Sequence, residues 1–179
     1  GKSTLLNVLA NRKNLARVSR TPGRTQAINA FHVILRRGER RVDAHFIDLP
    51  GYGFADAPKR IREDWGKMMG NYFRDNPLLT GAVVLLDIRR VPSGEDIALL
   101  EMLGEHEIPM LPVITKADKV GSTKRIKHLR DIEKKTGIPP GDMRVVSAQT
   151  REGIVALLGD IEAACEDAAD DPERPETSE

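Results

Sequence analysis

The feature that most constrains the fold is a regular alternation of strand-like and helix-like segments from residue 82 onward. Buried strands are predicted at residues 82–88, 110–115 and 143–146, and helices at 94–105, 123–136 and 153–164. Strands that alternate with helices indicate right-handed crossovers, and therefore a parallel sheet with helices on both faces. Because ligands of such α/β folds bind at the carboxyl ends of the strands, we look for a site at that edge.

Upstream of this repeat, the pattern changes to two strand-like runs joined by a short turn. Residues 28–35 and 41–48 are predicted strands, and Gly38 between them marks the turn of an antiparallel hairpin. A helix is predicted over residues 59–74. We therefore expect an α/β domain whose doubly wound sheet is mostly parallel, with one antiparallel strand.

The predicted helix over residues 59–74 carries large apolar side chains at helical spacing. They are Trp65, Met69, Tyr72 and Phe73. Residues three and four apart lie on one face of a helix, so we interpret them as a buried stripe. A platform on which RNA bases stack is the alternative.

Composition and cysteine content indicate the setting of the protein. The chain has 179 residues, of which 40% are apolar and 31% charged, as in globular domains. Its longest apolar run, residues 82–86, is far shorter than the roughly 20 residues of a membrane span. Cys165 is the single cysteine, and no Cys/His cluster has zinc-ligand spacing. We therefore expect a cytoplasmic protein without a membrane span.

Charge is unevenly distributed along the chain. Residues 1–41 contain ten Lys or Arg and one acid, whereas residues 166–179 contain seven acids and one Arg. The basic part suits a polyanion such as RNA, and a solvated face without a partner is the alternative. Because the acidic tail has two prolines and no periodicity, we predict a domain over residues 1–165 and disorder over 166–179.

The chain opens with Gly1-Lys2-Ser3-Thr4, the second half of a P-loop, followed by an apolar helical segment. Lys2, Ser3 and the helix N-terminus would supply part of a phosphate cradle. We expect the first half of the P-loop and the strand before it to precede Gly1.

Two segments are candidates for sensing a terminal phosphate. In Asp48-Leu49-Pro50-Gly51, an acid ends a strand and a glycine follows whose backbone can approach a ligand closely. In the long basic loop before residue 28, the Thr25 hydroxyl can ligate Mg²⁺ and its N–H can meet a phosphate oxygen. Taken alone, Thr25 is a turn threonine, and only its companions favour the sensor.

Two motifs at successive strand ends point to a guanine base. Thr115-Lys116-Ala117-Asp118 follows one predicted strand, and Ser147-Ala148-Gln149 follows the next. A carboxylate such as that of Asp118 can accept two hydrogen bonds side by side, and guanine presents an N–H and an amino group on one edge. Lys116 can lay its stem along the base, and the Ala148 N–H can donate to the guanine oxygen. Asp118 therefore favours GTP over ATP.

Together these motifs resemble a known family, the EngB (YihA/YsxC) bacterial GTPases of the Era-like group. The resemblance covers residues 1 to about 165. The motifs that carry it are Thr21-Pro22-Gly23-Arg24-Thr25-Gln26, Asp48-Leu49-Pro50-Gly51-Tyr52-Gly53, Trp65-Gly66, Asp87-Ile88-Arg89 and Thr115-Lys116-Ala117-Asp118. The resemblance implies a GTPase with a role in assembly of the large ribosomal subunit and an association with division septum formation. We expect its intrinsic turnover to be slow and a partner to stimulate it. In the doubly wound order that the resemblance implies, the absent strand would separate the strands ending at Asp48 and Asp87 by about 10 Å, and direct pairing of these two would contradict that order.

The resemblance also implies roles for individual residues. Lys2 would contact the β and γ phosphates, Ser3 and Thr25 would ligate Mg²⁺, and Asp48 would hold the metal through water. The Gly51 N–H would meet the γ-phosphate, so Lys2, Thr25 and Gly51 form the predicted catalytic set. The predicted nucleotide-binding residues are Gly1, Lys2, Ser3, Thr4, Gly23, Arg24, Thr25, Gln26, Ala27, Asp48, Leu49, Pro50, Gly51, Thr115, Lys116, Ala117, Asp118, Ser147, Ala148 and Gln149.

Two positions depart from the usual GTPase pattern. Thr115 stands where most GTPases have Asn, a replacement that the family tolerates. Tyr52 stands where signalling GTPases have the glutamine that orients the attacking water, so the hydrolytic group must come from elsewhere.

We expect guanine nucleotide and a large-subunit precursor, both its rRNA and its proteins, as the partners of a monomeric conformational switch. A scaffold that binds RNA and holds guanine nucleotide without significant turnover is the alternative. A P-loop ATPase or kinase is a further alternative, which Asp118 disfavours.

Overall fold

The computed structural model describes residues 1–12, 15–16, 28–37, 39–51 and 59–170. The predictions for the loop that carries Gly23 to Ala27, for the turn at Gly38, for Tyr52 and for residues 171–179 lie outside these residues.

Helices and strands alternate along the described residues much as the sequence pattern predicts. The helices are α1 (Lys2–Leu9), α2 (Lys59–Arg74), α3 (Gly94–Glu105), α4 (Ser122–Thr136) and α5 (Ile154–Ala169). The strands are β1 (Asn29–Arg37), β2 (Arg40–Asp48), β3 (Ala82–Asp87), β4 (Met110–Thr115) and β5 (Arg144–Val145). Short 3₁₀ turns lie at Ala117–Lys119 and Pro140–Asp142.

The chain divides into two compact units. The first comprises residues 1–18 and 81–160, with α1, β3, β4, β5, α3 and α4. The second comprises residues 19–80 and 161–179, with β1, β2 and α2. Helix α5 begins in the first unit and ends in the second. The single domain over residues 1–165 stays a prediction.

The first unit is built on a parallel sheet in the order β3-β4-β5. Strand β3 aligns with β4 from the pair Ala82 and Met110 to the pair Asp87 and Thr115. Two alternate residues of β3 and three of the six residues of β4 are buried, together with apolar side chains of the surrounding helices. These buried side chains are Val84, Leu86, Val113, Ile114, Leu100, Leu103, Ile132, Ile154 and Leu157. The predicted parallel α/β sheet is confirmed.

Local chemistry sets the ends of two helices in this unit. Helix α3 begins at a capping box in which the Ser93 hydroxyl accepts from the Asp96 N–H and the Asp96 carboxylate accepts from the Ser93 N–H. Helix α4 ends at Thr136 and is capped by Gly137, whose φ of +75° lies in the left-handed region that glycine adopts without strain.

The second unit contains the predicted antiparallel hairpin, in register from the pair Asn29 and Asp48 to the pair Arg37 and Arg40. On α2, Met69 and Phe73 are buried as predicted, whereas Trp65 and Tyr72 are half-buried. Among the described residues β2 pairs with β1 and not with β3, so the pairing that would contradict the expected strand order is not found there. The predicted spacing between those two strands stays a prediction.

Several predicted boundaries differ from the structure by one or more residues, and two of these differences have a local cause. Helix α5 ends at Ala169 instead of residue 164, so residues 166–169 are helical, because Glu and Ala are good helix formers even where the apolar period fades. Strand β5 begins at Arg144 instead of residue 143, because the preceding 3₁₀ turn directs the Met143 N–H to the Pro140 oxygen, and it ends at Val145 instead of residue 146. Disorder in the remaining tail stays a prediction.

A search of the helices in the described ranges finds none with the length and hydropathy required to cross a bilayer.

Candidate functional site

The N-terminus of α1 lies beside the tip of β4. A Cβ added at Gly1 would lie 3.8 Å from Cε of Lys116, so the P-loop segment and the Thr115-Lys116-Ala117-Asp118 motif are neighbours. The Thr115 hydroxyl donates to the Leu86 carbonyl at 3.0 Å, which joins the ends of β3 and β4. The Ala117 N–H donates to the Val146 carbonyl at 3.1 Å, which joins the same motif to β5. Three strand ends therefore hold this motif in place.

Lys116 is held in an unusual backbone conformation. Its φ of 62° and ψ of 35° lie in the left-handed region, which costs a residue with a Cβ roughly 1 kcal/mol. Its Nζ lies 2.7 Å from Oδ2 of Asp87 at the end of β3. This ion pair fixes the far end of the Lys116 side chain. The stem of the same side chain is predicted from the sequence to lie along the face of a base.

Asp87 is the anchor for Lys116, and the sequence prediction did not assign it that role. Partial burial would by itself raise the pKa of Asp87, but hydrogen bonds from Arg89 and Lys116 hold that pKa well below its ordinary value of 3.8. Arg89 donates through Nε at 2.9 Å and through Nη2 at 2.8 Å. The Asp-Ile-Arg motif therefore supplies a carboxylate that is ionised at neutral pH and has two cationic partners.

Asp118 is fixed by its neighbours on both oxygens. Oδ1 accepts from the Ser147 hydroxyl at 2.7 Å, and Oδ2 lies 3.0 Å from Nζ of Lys119. These two interactions, the first the stronger, lower the pKa of Asp118. The side chain keeps 12% of its surface exposed. Asp118 is thus an oriented carboxylate that retains an accessible edge and stays ionised at neutral pH.

Ser147 organises the loop that follows β5. It is fully buried, and its hydroxyl accepts from the N–H groups of Gln149 at 3.2 Å and Thr150 at 3.1 Å while donating to Asp118. The Ala148 N–H, which lies between Ser147 and Gln149 in the chain, donates to no acceptor within the described part of the chain. The loop therefore presents that amide as a donor, whereas the Gln149 amide is occupied by Ser147.

The Asp48-Leu49-Pro50-Gly51 segment belongs to the second unit. Asp48 is buried at the end of β2, with 4% of its surface exposed. The indole Nε1 of Trp65 on α2 donates to the Pro50 carbonyl at 2.9 Å. A Cβ added at Gly51 would meet no atom of the described residues within 4 Å. Trp65 therefore fixes the backbone just before the glycine, a role that its place in a predicted core stripe did not indicate.

Asn7 anchors the beginning of the long basic loop. Its side-chain Nδ2 donates to the Ala16 carbonyl at 2.9 Å, and its Oδ1 accepts from the Ala16 N–H at 2.7 Å. Because both hydrogen bonds are made to the backbone of one residue, they fix the chain at Ala16, nine residues after Asn7. A lone Asn on a helix gives no sequence signal for this role.

The predicted metal ligands are oxygen donors, which is the chemistry that Mg²⁺ requires. Mg²⁺ is usually held by one or two protein oxygens together with substrate phosphates. Ser3, in the first turn of α1, offers a hydroxyl, and Asp48 offers a buried carboxylate at a strand end. Thr25 lies outside the described residues. The donor set that is described therefore fits the predicted metal.

The structure brings together only part of the predicted site. Gly1 to Thr4, Thr115 to Asp118 and Ser147 to Gln149 lie in one compact unit, where Lys116 adjoins Gly1 and Asp118 is hydrogen-bonded to Ser147. Asp48 to Gly51 lie in the other unit, and Gly23 to Ala27 are not described. The binding and catalytic roles of all these residues stay predictions.

Comparison with known proteins gives a consistent result at the level of sequence. A family model described as "50S ribosome-binding GTPase" matches residues 1–116. A probable GTP-binding protein EngB of Syntrophotalea carbinolica is 43% identical over 173 residues, which cover 96% of this chain and 79% of the relative. Its counterpart in Geobacter sulfurreducens is 44% identical over 163 residues, covering 91% of this chain and 76% of the relative.

Solved structures agree on the fold. The crystal structure of a probable GTP-binding protein engB superposes with a TM-score of 0.70 at 22% identity and covers 93% of this chain and 94% of that one. Era of Aquifex aeolicus, bound to GDP and AlF4−, superposes with a TM-score of 0.71 at 20% identity and covers 99% of this chain and 54% of that one. Both likenesses concern the fold alone.

Proposed function

This chain belongs to the EngB family of GTP-binding proteins and is a GTPase, and we propose that it acts as a Mg²⁺-dependent conformational switch in assembly of the large ribosomal subunit. The observation that carries the proposal is the oriented, ionised carboxylate of Asp118, held by Ser147 at the carboxyl ends of β4 and β5.

The choice of base is assigned to the first unit. Asp118 would accept the N–H and the amino group of guanine side by side, and adenine offers no such pair. The Ala148 N–H would donate to the guanine oxygen, and the stem of Lys116, anchored at its far end by Asp87, would cover the face of the base. These three contacts would make GTP and GDP the ligands.

The phosphate chemistry is assigned to the P-loop segment and to the Asp48 segment. Lys2 would place its ammonium group on the β and γ phosphates, with the N-terminus of α1 contributing positive potential to the same groups. Bound Mg²⁺, with Ser3, Thr25 and water on Asp48 as its protein ligands, would neutralise phosphate charge. The Gly51 N–H would donate to the γ-phosphate when the nucleotide is a triphosphate. Loss of the γ-phosphate on hydrolysis would release the segment that adjoins Gly51.

The partner is proposed from family membership and from charge. The matching family model is described as ribosome-binding, and the ten basic residues among the first 41 suit rRNA phosphates. We include in the proposal a monomeric state, a cytoplasmic location and the association with division septum formation that the family resemblance implies. Because Tyr52 cannot orient water as a glutamine does, intrinsic hydrolysis would be slow and the precursor particle would accelerate it.

The test compares the parent protein with Asp118→Asn, using GTP and XTP, with and without large-subunit precursor particles. Xanthine carries an oxygen where guanine carries the amino group, so an amide at position 118 suits it better than a carboxylate. We expect Asp118→Asn to bind GTP about 100-fold more weakly and to recover turnover with XTP. Particles should stimulate the parent with GTP and the variant with XTP.

Asp142→Asn is the matched control, because Asp142 is exposed in a turn away from both loops. It should behave as the parent does. An unchanged preference of Asp118→Asn for GTP would remove the assigned base contact, and fast turnover of the parent without particles would remove the switch.

A further inference from the structure

Arg125, in the first turn of α4, donates hydrogen bonds to both base-recognition loops, which are residues 116–120 after β4 and residues 147–152 after β5. Its Nη2 donates to the Ala117 carbonyl at 3.0 Å and its Nε donates to the Val120 carbonyl at 3.1 Å. These two carbonyls flank Asp118 in the chain. One guanidinium group therefore holds the backbone on either side of the predicted base-reading residue.

The same guanidinium is joined to the loop after β5. Both Nη1 and Nη2 of Arg125 donate to the carboxylate of Glu152, the second at 3.0 Å. The backbone carbonyl of Glu152 in turn accepts a hydrogen bond from the Ser147 N–H at 3.0 Å. A paired, planar contact of this kind fixes orientation as well as distance.

These contacts close a ring. Asp118 bonds to the Ser147 hydroxyl, the Ser147 N–H bonds to Glu152, the Glu152 carboxylate bonds to Arg125, and Arg125 bonds to the carbonyls beside Asp118. A displacement of either loop would break at least one of these bonds. Neither Arg125 nor Glu152 belongs to a motif that the sequence singled out.

We propose that Arg125 and Glu152 are positioning residues that hold the two loops at the separation guanine requires, and so set both nucleotide affinity and discrimination at the 2-amino group. This inference rests on the proposed function, because it assumes that Asp118 reads the base. Arg125 and Glu152 touch no nucleotide in this proposal and act through Asp118 and Ser147.

The electrostatics support the pairing. The hydrogen bond to Glu152, with Asp118 adding to it, raises the pKa of Arg125, and the hydrogen bond from Arg125 lowers the pKa of Glu152. Both groups are therefore charged throughout the physiological range, and the brace does not depend on pH near neutrality.

The chain provides a matched control pair in Arg144 and Asp160. Arg144 donates through Nε and Nη2 to both carboxylate oxygens of Asp160, so the chemistry equals that of the Arg125 and Glu152 pair. The exposed fractions of the side chains are also similar. They are 43% for Arg144 and 27% for Asp160, compared with 25% for Arg125 and 42% for Glu152. The control pair joins β5 to α5 instead of joining the two loops.

The experiment measures dissociation constants for GDP and IDP, which lacks the 2-amino group, in Arg125→Gln, Glu152→Gln, the double variant, Arg144→Gln and Asp160→Asn. We expect Arg125→Gln to weaken GDP binding about tenfold and IDP binding about threefold, so that discrimination falls. Glu152→Gln should show a smaller loss in the same direction. The double variant should be no worse than Arg125→Gln, because both substitutions break the same ring. Arg144→Gln and Asp160→Asn should change neither constant by more than about twofold.

Arg125→Lys keeps the charge but cannot reach Ala117, Val120 and Glu152 together, so it should fall between the parent and Arg125→Gln. Urea unfolding of each variant separates loss of affinity from loss of fold. A ratio of GDP to IDP affinity that is unmoved in both Arg125→Gln and Arg125→Lys would overturn this inference alone. A parent protein that binds GDP no better than ADP would overturn the proposed function and this inference with it.

Discussion

The base-recognition loops and the Asp48 segment are held in different ways. In the loops after β4 and β5, polar side chains fix one another, as Asp118 with Ser147 and Lys116 with Asp87 show. In the Asp48 segment, a side chain from α2 fixes the backbone instead, because Trp65 donates to the Pro50 carbonyl. A Cβ added at the next residue, Gly51, would meet no atom of the described residues within 4 Å.

The difference corresponds to the two tasks proposed for these regions. A base is the same in GTP and GDP, so the residues that read it gain affinity from being fixed before the ligand arrives. A γ-phosphate is present in only one of the two nucleotides, so the segment that senses it needs a contact made only with the triphosphate. Substitutions in the loops should therefore affect GTP and GDP alike, whereas substitutions near Gly51 should affect GTP more.

The largest effect is expected at Gly153, which shapes the base-recognition side. Its φ is +71°, and an added Cβ would lie 2.2 Å from the Val145 carbonyl oxygen and 3.1 Å from Cγ1 of Val146. Gly153→Ala should lower the free energy of unfolding by about 3–5 kcal/mol, since backbone must move to admit the methyl group. Denaturant titration measures the loss.

Gly159 provides the control for that experiment. It lies within α5, and a Cβ there would meet no atom in the described part of the chain within 4 Å. Gly159→Ala should stabilise the protein by about 1 kcal/mol through helix propensity. Equal effects of the two substitutions would show that the close approach at Gly153 is not a constraint.

A smaller effect is expected at Asp87, and it depends on pH. Because the folded-state pKa of Asp87 lies below its ordinary value of 3.8, its ionisation stabilises the fold fully above pH 3.8, and that contribution is lost as pH falls below it. Asp87→Asn should cost about 1 kcal/mol at pH 7 and weaken GTP and GDP binding equally, by about tenfold, as Lys116 loses its anchor. Unfolding titrations between pH 7 and pH 3 and two dissociation constants measure this.

Asp75→Asn is the control, since Asp75 forms an exposed ion pair with Arg74 and should contribute little. If Asp87→Asn weakened GTP binding while leaving GDP binding intact, the assignment of Asp87 to the base side would be wrong.

The smallest effect is expected at Trp65 and concerns the other region. Trp65→Phe keeps an aromatic ring but leaves the buried Pro50 carbonyl without its indole donor. We expect GTP to bind about threefold more weakly and GDP to be unchanged, because one hydrogen bond contributes about 1 kcal/mol. Tyr72→Phe, an aromatic change on the same helix, should alter neither constant. A parallel loss for both nucleotides would remove the contrast between the two regions.

Much of the fold was predictable because its signals are local. The alternation of apolar strands with amphipathic helices gave the parallel sheet of β3, β4 and β5, and alternating runs about Gly38 gave the antiparallel hairpin. The end of α5 was wrong because helix propensity continues through Glu166 to Ala169 after the apolar period has faded.

Motifs likewise marked Lys116, Asp118 and Ser147, because the chemistry of a site limits which residue types can serve it. The motifs did not mark the residues that hold these three side chains in position. Arg125 is one of several cations on a basic helix, Glu152 is a surface acid, and Asp87 lies 29 residues from the lysine that it holds. Which cation meets which carboxylate depends on where separate strands end in space, and a hydrogen bond between residues so far apart leaves no periodicity in the sequence. The sequence by itself therefore determined the family and the parallel α/β sheet and predicted which residues read the base, whereas tertiary structure alone decided what holds those residues in position.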